Sequence, residues 1–132
     1  MIAADFDNDG DIDILVTDQY GAPKLYENTL KNGQWCGITL VGNGKTTSVD
    51  AVGSKVWISY DVEGKTETQY REMRLANGFM AMGDTRMLFG LGSKKVSHIK
   101  VSVLWHDGQK SFFDNVQMNQ YHVVQQKGSE LK

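Results

Sequence analysis

Cysteine is nearly missing from this 132-residue chain. Cys36 stands alone, so no internal disulfide can form and a stapled secreted scaffold is excluded; a small buried apolar role beside Trp35 is expected instead. Long apolar runs are missing too, none approaching the roughly 18 residues that span a bilayer, so membrane insertion is not expected. The longest basic run is Lys94-Lys95, without any basic and aromatic stripe, which leaves nucleic acid no footprint. His98, His106 and His122 are scattered without His-x-x-x-His or Cys-x-x-Cys spacing, so zinc is not indicated and surface or turn positions are expected for all three. No Gly-x-Ser-x-Gly elbow or comparable nucleophile setting occurs; no catalytic residue is assigned and the chain is not expected to be an enzyme. Phe89-Gly-Leu-Gly92 lacks the Lys-Ser/Thr of a phosphate loop, so its glycines are expected to permit a tight, close-packed turn. The opening Met1-Ile-Ala-Ala4 has neither the charged nor the apolar region of a signal peptide, so secretion is not legible in it.

What the chain does have is acid, concentrated. Asp5-Phe6-Asp7-Asn8-Asp9-Gly10-Asp11-Ile12-Asp13 carries five of the 16 acidic residues, and the remaining 11 face 14 basic ones, leaving the body mildly positive. Asp5, Asp7, Asp9 and Asp13 occupy positions 1, 3, 5 and 9 of a loop whose position 6 is Gly10, where the backbone must turn sharply. Turn chemistry explains one or two acids, not four in register. Hard oxygen ligands converging this way suit Ca²⁺, with the Asp11 backbone carbonyl as a further ligand and the Asp11 side chain outward. An EF-hand would start alike and welcomes Ile12 at position 8, but its position 12 demands a bidentate Glu, and here stands Val16. The loop therefore feeds a strand, closed by Asp13.

The rest reads as all-β: short β-type runs alternate with Gly, Asn and Asp clusters, and no stretch shows a 3.6-residue period. Residues 12–17 are predicted as a buried strand, 18–21 as a turn and 23–28 as a second strand, about half of a four-stranded propeller blade. Asn32-Gly33 marks the next turn and the expected domain boundary. Val56, Ile58, Tyr60 and Val62 alternate with Trp57, Ser59 and Asp61, which puts the first set in the core and Trp57 on the other side. Ile99, Val101, Val103 and Trp105 alternate likewise, Asp107-Gly108 signals a hairpin into residues 111–114, and a last strand is predicted over 121–125. A sandwich of two antiparallel sheets is the economical architecture. Met73, Met80, Met82 and Met87, with Phe79 and Phe89, are expected to fill core space under a long loop rather than to form an exposed patch. Among the three tryptophans only Trp57 is a candidate sugar-stacking platform.

Two families are resembled. Residues 4–16, with Leu25-Tyr-Glu-Asn28, resemble a calcium-loop FG-GAP or VCBS repeat of β-propellers. Trp35, Leu40-Val-Gly42, Ala51-Val-Gly-Ser-Lys-Val56, Arg71-Glu72, Asn77-Gly-Phe79, Phe89-Gly-Leu-Gly92, Val103-Leu-Trp105 with Asp107-Gly108, and Asn115-Val116 with Asn119-Gln120 resemble the ASPIC/UnbV domain. Ser48-Val49 and His106 depart from that family's usual Asn-Arg and Pro. The resemblance implies a partial repeat over 1–32 that starts inside a blade, an ASPIC/UnbV β domain over 33–127 and a disordered tail over 128–132. It also implies an extracellular or cell-surface, non-enzymatic calcium-binding adhesion module, with Asp5, Asp7, Asp9, Asp11 and Asp13 as the metal residues. Its partner is expected to be protein, either sibling propeller repeats or an extracellular protein. The alternative is a carbohydrate-binding module attached to a larger enzyme or surface protein.

Overall fold

In the computed structural model, which describes residues 1–30, 33–78 and 81–126, every regular element is a β-strand. Ile2–Ala4 (β1), Asp13–Val16 (β2) and Lys24–Tyr26 (β3) form an antiparallel sheet in which β2 is central. Gln34–Val41 (β4) follows, then the long hairpin of Lys55–Val62 (β5) and Lys65–Glu72 (β6). The short pair Ala76–Gly78 (β7) and Ala81–Met82 (β8) precedes Met87–Gly92 (β9) and Val96–Leu104 (β10). Lys110–Phe113 (β11) and Tyr121–Gln125 (β12) complete the order. No helix long and apolar enough to cross a membrane occurs among the described residues.

Two sheets make the sandwich, one ordered β11-β10-β5-β6 and the other β12-β4-β9. Their facing sides follow from period-2 alternation. Val56, Ile58 and Tyr60 of β5 and Ile99, Val101 and Val103 of β10 are buried against Cys36, Ile38 and Leu40 of β4, Phe89 and Leu91 of β9 and Val124 of β12. Trp105 seals one end, its indole N–H donating to Ser111 Oγ at 2.9 Å. Each fully buried large apolar side chain contributes about 1.5–3 kcal/mol, so this cluster, drawn entirely from residues beyond 33, carries the fold. Burial also pushes the Cys36 thiol up to about 12, which makes it an inert core residue.

One pairing departs from the expected antiparallel sandwich: β12 runs parallel to β4. Its register sets His122 beside Ile38 and Val124 beside Leu40, so the inward residues of both strands coincide. That alignment also corrects the reading of His122 as a surface histidine. It is buried, with Nε2 2.8 Å from the Gln117 carbonyl oxygen, whereas His98 and His106 are exposed as expected. Phe89-Gly-Leu-Gly92 is not a turn but the body of β9. Phe89 and Leu91 face the core from it, and only Gly92, at φ 84°, takes the left-handed conformation. Residues 12–17 form a strand shorter and wetter than predicted: only Asp13 of β2 is buried, and Ile14 is exposed. Met73 and Met87 fill the core, whereas Met82 is exposed; Phe79 and Met80 lie outside the described residues. So do Asn32 of the expected boundary and the tail 128–132.

Candidate metal centre

The acidic loop sits on the outer face of the β12-β4-β9 sheet. Because Cys36, Ile38 and Leu40 point inward along β4, Trp35 and Gly37 point outward, and the parallel register places Tyr121 beside Gly37. The Tyr121 ring lies directly on that glycine: a Cβ at Gly37 would fall 2.1 Å from Tyr121 Cδ1. Trp35 tilts against Tyr121 with ring centroids 5.0 Å apart, and it is only 8% exposed although it faces outward. The loop is what covers it. A Cβ at Gly10 would fall 2.0 Å from Trp35 Nε1, and Gly10 holds φ at 93°, so both the turn and the contact require glycine there.

Arg86, just before β9, locks the loop in place. Asp84 takes its Nε and Nη2 donors in a forked pair at 2.7–3.0 Å. The guanidinium lies 4.6 Å from the Tyr121 ring centroid and donates to the Asp5 backbone carbonyl and to Asn8 Oδ1. Asn8 itself sits at φ 64°, a conformation asparagine tolerates.

Within the loop, Asp5 and Asp13 are almost fully buried. Asp5 accepts from the N–H groups of Asp9 at 3.2 Å and Gly10 at 3.0 Å and from the Tyr121 hydroxyl at 2.6 Å. Asp13 accepts from the N–H of Phe6 at 2.9 Å and of Asn28 at 2.8 Å, which ties the loop to the segment after β3. Asp7 is exposed, yet one of its oxygens joins one each from Asp5 and Asp13 with all three within 4.8 Å of one another. Ligands about 2.3–2.6 Å from one Ca²⁺ lie at most about 5 Å apart, so this trio fits a single ion. Asp9 is outside the trio; its Oδ1 accepts from the Asp11 N–H at 3.1 Å. Asp11 also stands apart. Its side chain does not point freely outward, because Oδ1 is sealed from solvent without a hydrogen-bond donor. Partial desolvation, followed by the surrounding carboxylate charges, raises the pKa of both Asp7 and Asp11; at Asp7 the Asp9 N–H opposes that rise. Arg86 is engaged by Asp84, so the carboxylates of Asp5 and Asp13 are held by backbone N–H groups and the Tyr121 hydroxyl rather than by a side-chain cation.

Sequence reasoning found the acids and Gly10 but missed Trp35, Arg86 and Tyr121. The available signal was alternation: Trp35 and Tyr121 are large aromatics at outward strand positions, which means something must cover that face.

The family model described as ASPIC and UnbV matches residues 44–131, which takes in β5 through β12 and leaves the acidic loop outside the match. No protein of curated function matches the sequence. Since the matched residues make up more than half of its length, the chain belongs to the ASPIC and UnbV family.

Proposed function

We propose that the protein is a non-enzymatic, calcium-binding interaction module of the extracellular space, in which one Ca²⁺ fixes the N-terminal sheet on the sandwich. The observation that carries this reading is the convergence of Asp5, Asp7 and Asp13 oxygens within 4.8 Å, two of the three residues being buried. The resemblance of residues 4–16 and 25–28 to FG-GAP/VCBS repeats, which rests in part on the same acids, supports it as well. Extracellular modules bind Ca²⁺ with dissociation constants of about 10⁻⁴–10⁻³ M, so such a site fills where calcium is near millimolar. On one face of the N-terminal sheet Ile14 and its register partner Tyr26 are both exposed, an apolar surface suited to sibling propeller repeats or to an extracellular protein.

Calorimetry tests the metal directly. The expected result is one Ca²⁺ per chain, with Asp7→Ala weakening binding at least about tenfold. Asp18→Ala, an exposed acid outside the loop, should leave binding unchanged. Mg²⁺ should compete poorly, because it demands near-octahedral geometry at about 2.0–2.1 Å. Equal losses at Asp7 and Asp18 would mean diffuse counterion attraction and would overturn the reading.

A further inference from the structure

The outer face of the other sheet, β11-β10-β5-β6, carries a pattern that the calcium reading does not use. Register places Tyr70, Trp57, Ser102 and Phe112 in one row straight across all four strands. The Trp57 and Tyr70 ring centroids are 5.2 Å apart, and Tyr70 and Phe112 are 44% and 69% exposed. The adjacent row, also in register, reads Glu72, Lys55, Leu104 and Lys110. Glu72 is already paired with Arg74 at 2.9 Å, and neither Lys55 nor Lys110 belongs to a salt bridge among the described residues. On the far side of the aromatic row, Lys100 is neutralised by Asp114 at 3.5 Å. Surplus positive charge therefore lies along one flank only.

The two rows combine into a repeat. Lys55 and Trp57 are two residues apart on β5, Lys110 and Phe112 are two residues apart on β11, and each couplet presents one cation beside one ring on the same face. With β10 between them, the couplets lie about 10 Å apart, two strand spacings. Between the couplets runs a groove of about 250 Å³ lined by Trp57, Ser102, Leu104, Lys110 and Phe112. We propose that this face binds an extended polysaccharide of uronic acid units, the rings stacking on sugar faces and Lys55 and Lys110 pairing with the carboxylates. A polymer that presents one pyranose and one carboxylate per unit matches a surface that presents one aromatic and one lysine per couplet. Two isolated lysines fit such spaced carboxylates better than dense sulfation, for which a basic cluster would be needed.

Affinity electrophoresis of the full chain in EDTA tests this, since chelation removes cation bridging between the acidic loop and the polymer. Polygalacturonate should retard the protein, while its methyl-esterified form, dextran and heparin should retard it at least about tenfold less. Trp57→Ala and Phe112→Ala should each weaken retardation about tenfold, and Phe112→Ala should do so with unchanged melting temperature, because Phe112 is exposed enough that its loss leaves the sheet folded. Lys110→Gln should weaken it several-fold and flatten its salt dependence, whereas Lys94→Gln, a lysine paired with Glu63 elsewhere, should not. Equal retardation by esterified polymer, stronger retardation by heparin, full retention by Phe112→Ala, or binding to no glycan at all would each overturn the proposal.

Discussion

The Tyr121 hydroxyl donates a 2.6 Å hydrogen bond to Asp5 Oδ2, joining two residues 116 positions apart. The same oxygen accepts the Gly10 N–H at 3.0 Å, so one buried carboxylate ties the acidic loop both to itself and to the last strand of the sandwich. Burial, and then this bond to Asp5, pushes the Tyr121 hydroxyl well above the usual tyrosine range, which keeps it a donor at every physiological pH.

Removing that donor alone should loosen the joint. Hydrogen bonds to charged groups contribute about 1.5–3 kcal/mol, so Tyr121→Phe should lower the stability of the joined structure by about that amount in urea denaturation. Amides of residues 5–10 should exchange faster while those of β5 and β10 do not. An unchanged urea midpoint would mean that the hydroxyl is equally well satisfied by water.

Gly10→Ala is expected to be worse than an ordinary loop substitution. The left-handed φ of 93° costs a non-glycine residue about 1–3 kcal/mol, and the new methyl would collide with the Trp35 indole. The loop should lift from the sheet, exposing Trp35 and shifting tryptophan emission to the red. A wild-type spectrum in this variant would contradict the packing described.

The pH dependence of the metal-free loop has a definite sign. Partial desolvation and then the charges of Asp9, Asp13, Asp7 and Asp5 raise the Asp11 pKa above its ordinary value. Its ionised form therefore opposes folding at neutral pH, and the penalty vanishes as pH falls and the group is protonated in both states. In EDTA at pH 7, Asp11→Asn should raise the melting temperature. The gain should fade below about pH 3.9, the ordinary Asp value. Saturating calcium should shrink it as well, because the metal offsets the repulsion. A destabilising effect of Asp11→Asn at pH 7 in EDTA would refute the sign.

The sandwich should not need the loop. Its buried cluster contains no residue before Cys36, so a chain beginning at Gly33 should fold cooperatively without calcium. It would expose Trp35 and Tyr121. Failure to fold under any condition would show that the N-terminal sheet supplies core energy that the described packing does not reveal.

How much of this was legible follows from how local each signal is. Alternation in β5 and β10 identified Val56, Ile58, Tyr60, Ile99, Val101 and Val103 as core and Trp57 as outward, because a period of two is written in consecutive residues. The acidic loop was equally legible, since Asp5, Asp7, Gly10 and Asp13 lie within nine positions. The parallel β12–β4 pair was not, because it joins Tyr121 to Gly37 through a register that no neighbouring residue encodes. For the same reason Arg86 gave no sign that it reaches Asn8. Phe89-Gly-Leu-Gly92 misled because glycines suggest turns, whereas here Phe89 and Leu91 supply strand alternation and Gly90 merely leaves the outer side bare.

A calcium titration followed through backbone amide and tryptophan indole N–H resonances distinguishes a metal site coupled to the sandwich from a solvated acidic turn, because the three tryptophans report on three places. Trp35 packs on Gly10, Trp57 lies on the opposite outer face and Trp105 closes the core. Saturable shifts should appear in residues 5–13, the Trp35 indole and Tyr121, reaching a plateau at one Ca²⁺ per chain, while Trp57 and Trp105 stay in place. No shift at millimolar calcium, or the same shifts produced by sodium chloride of equal ionic strength, would contradict a calcium site coupled to the sandwich.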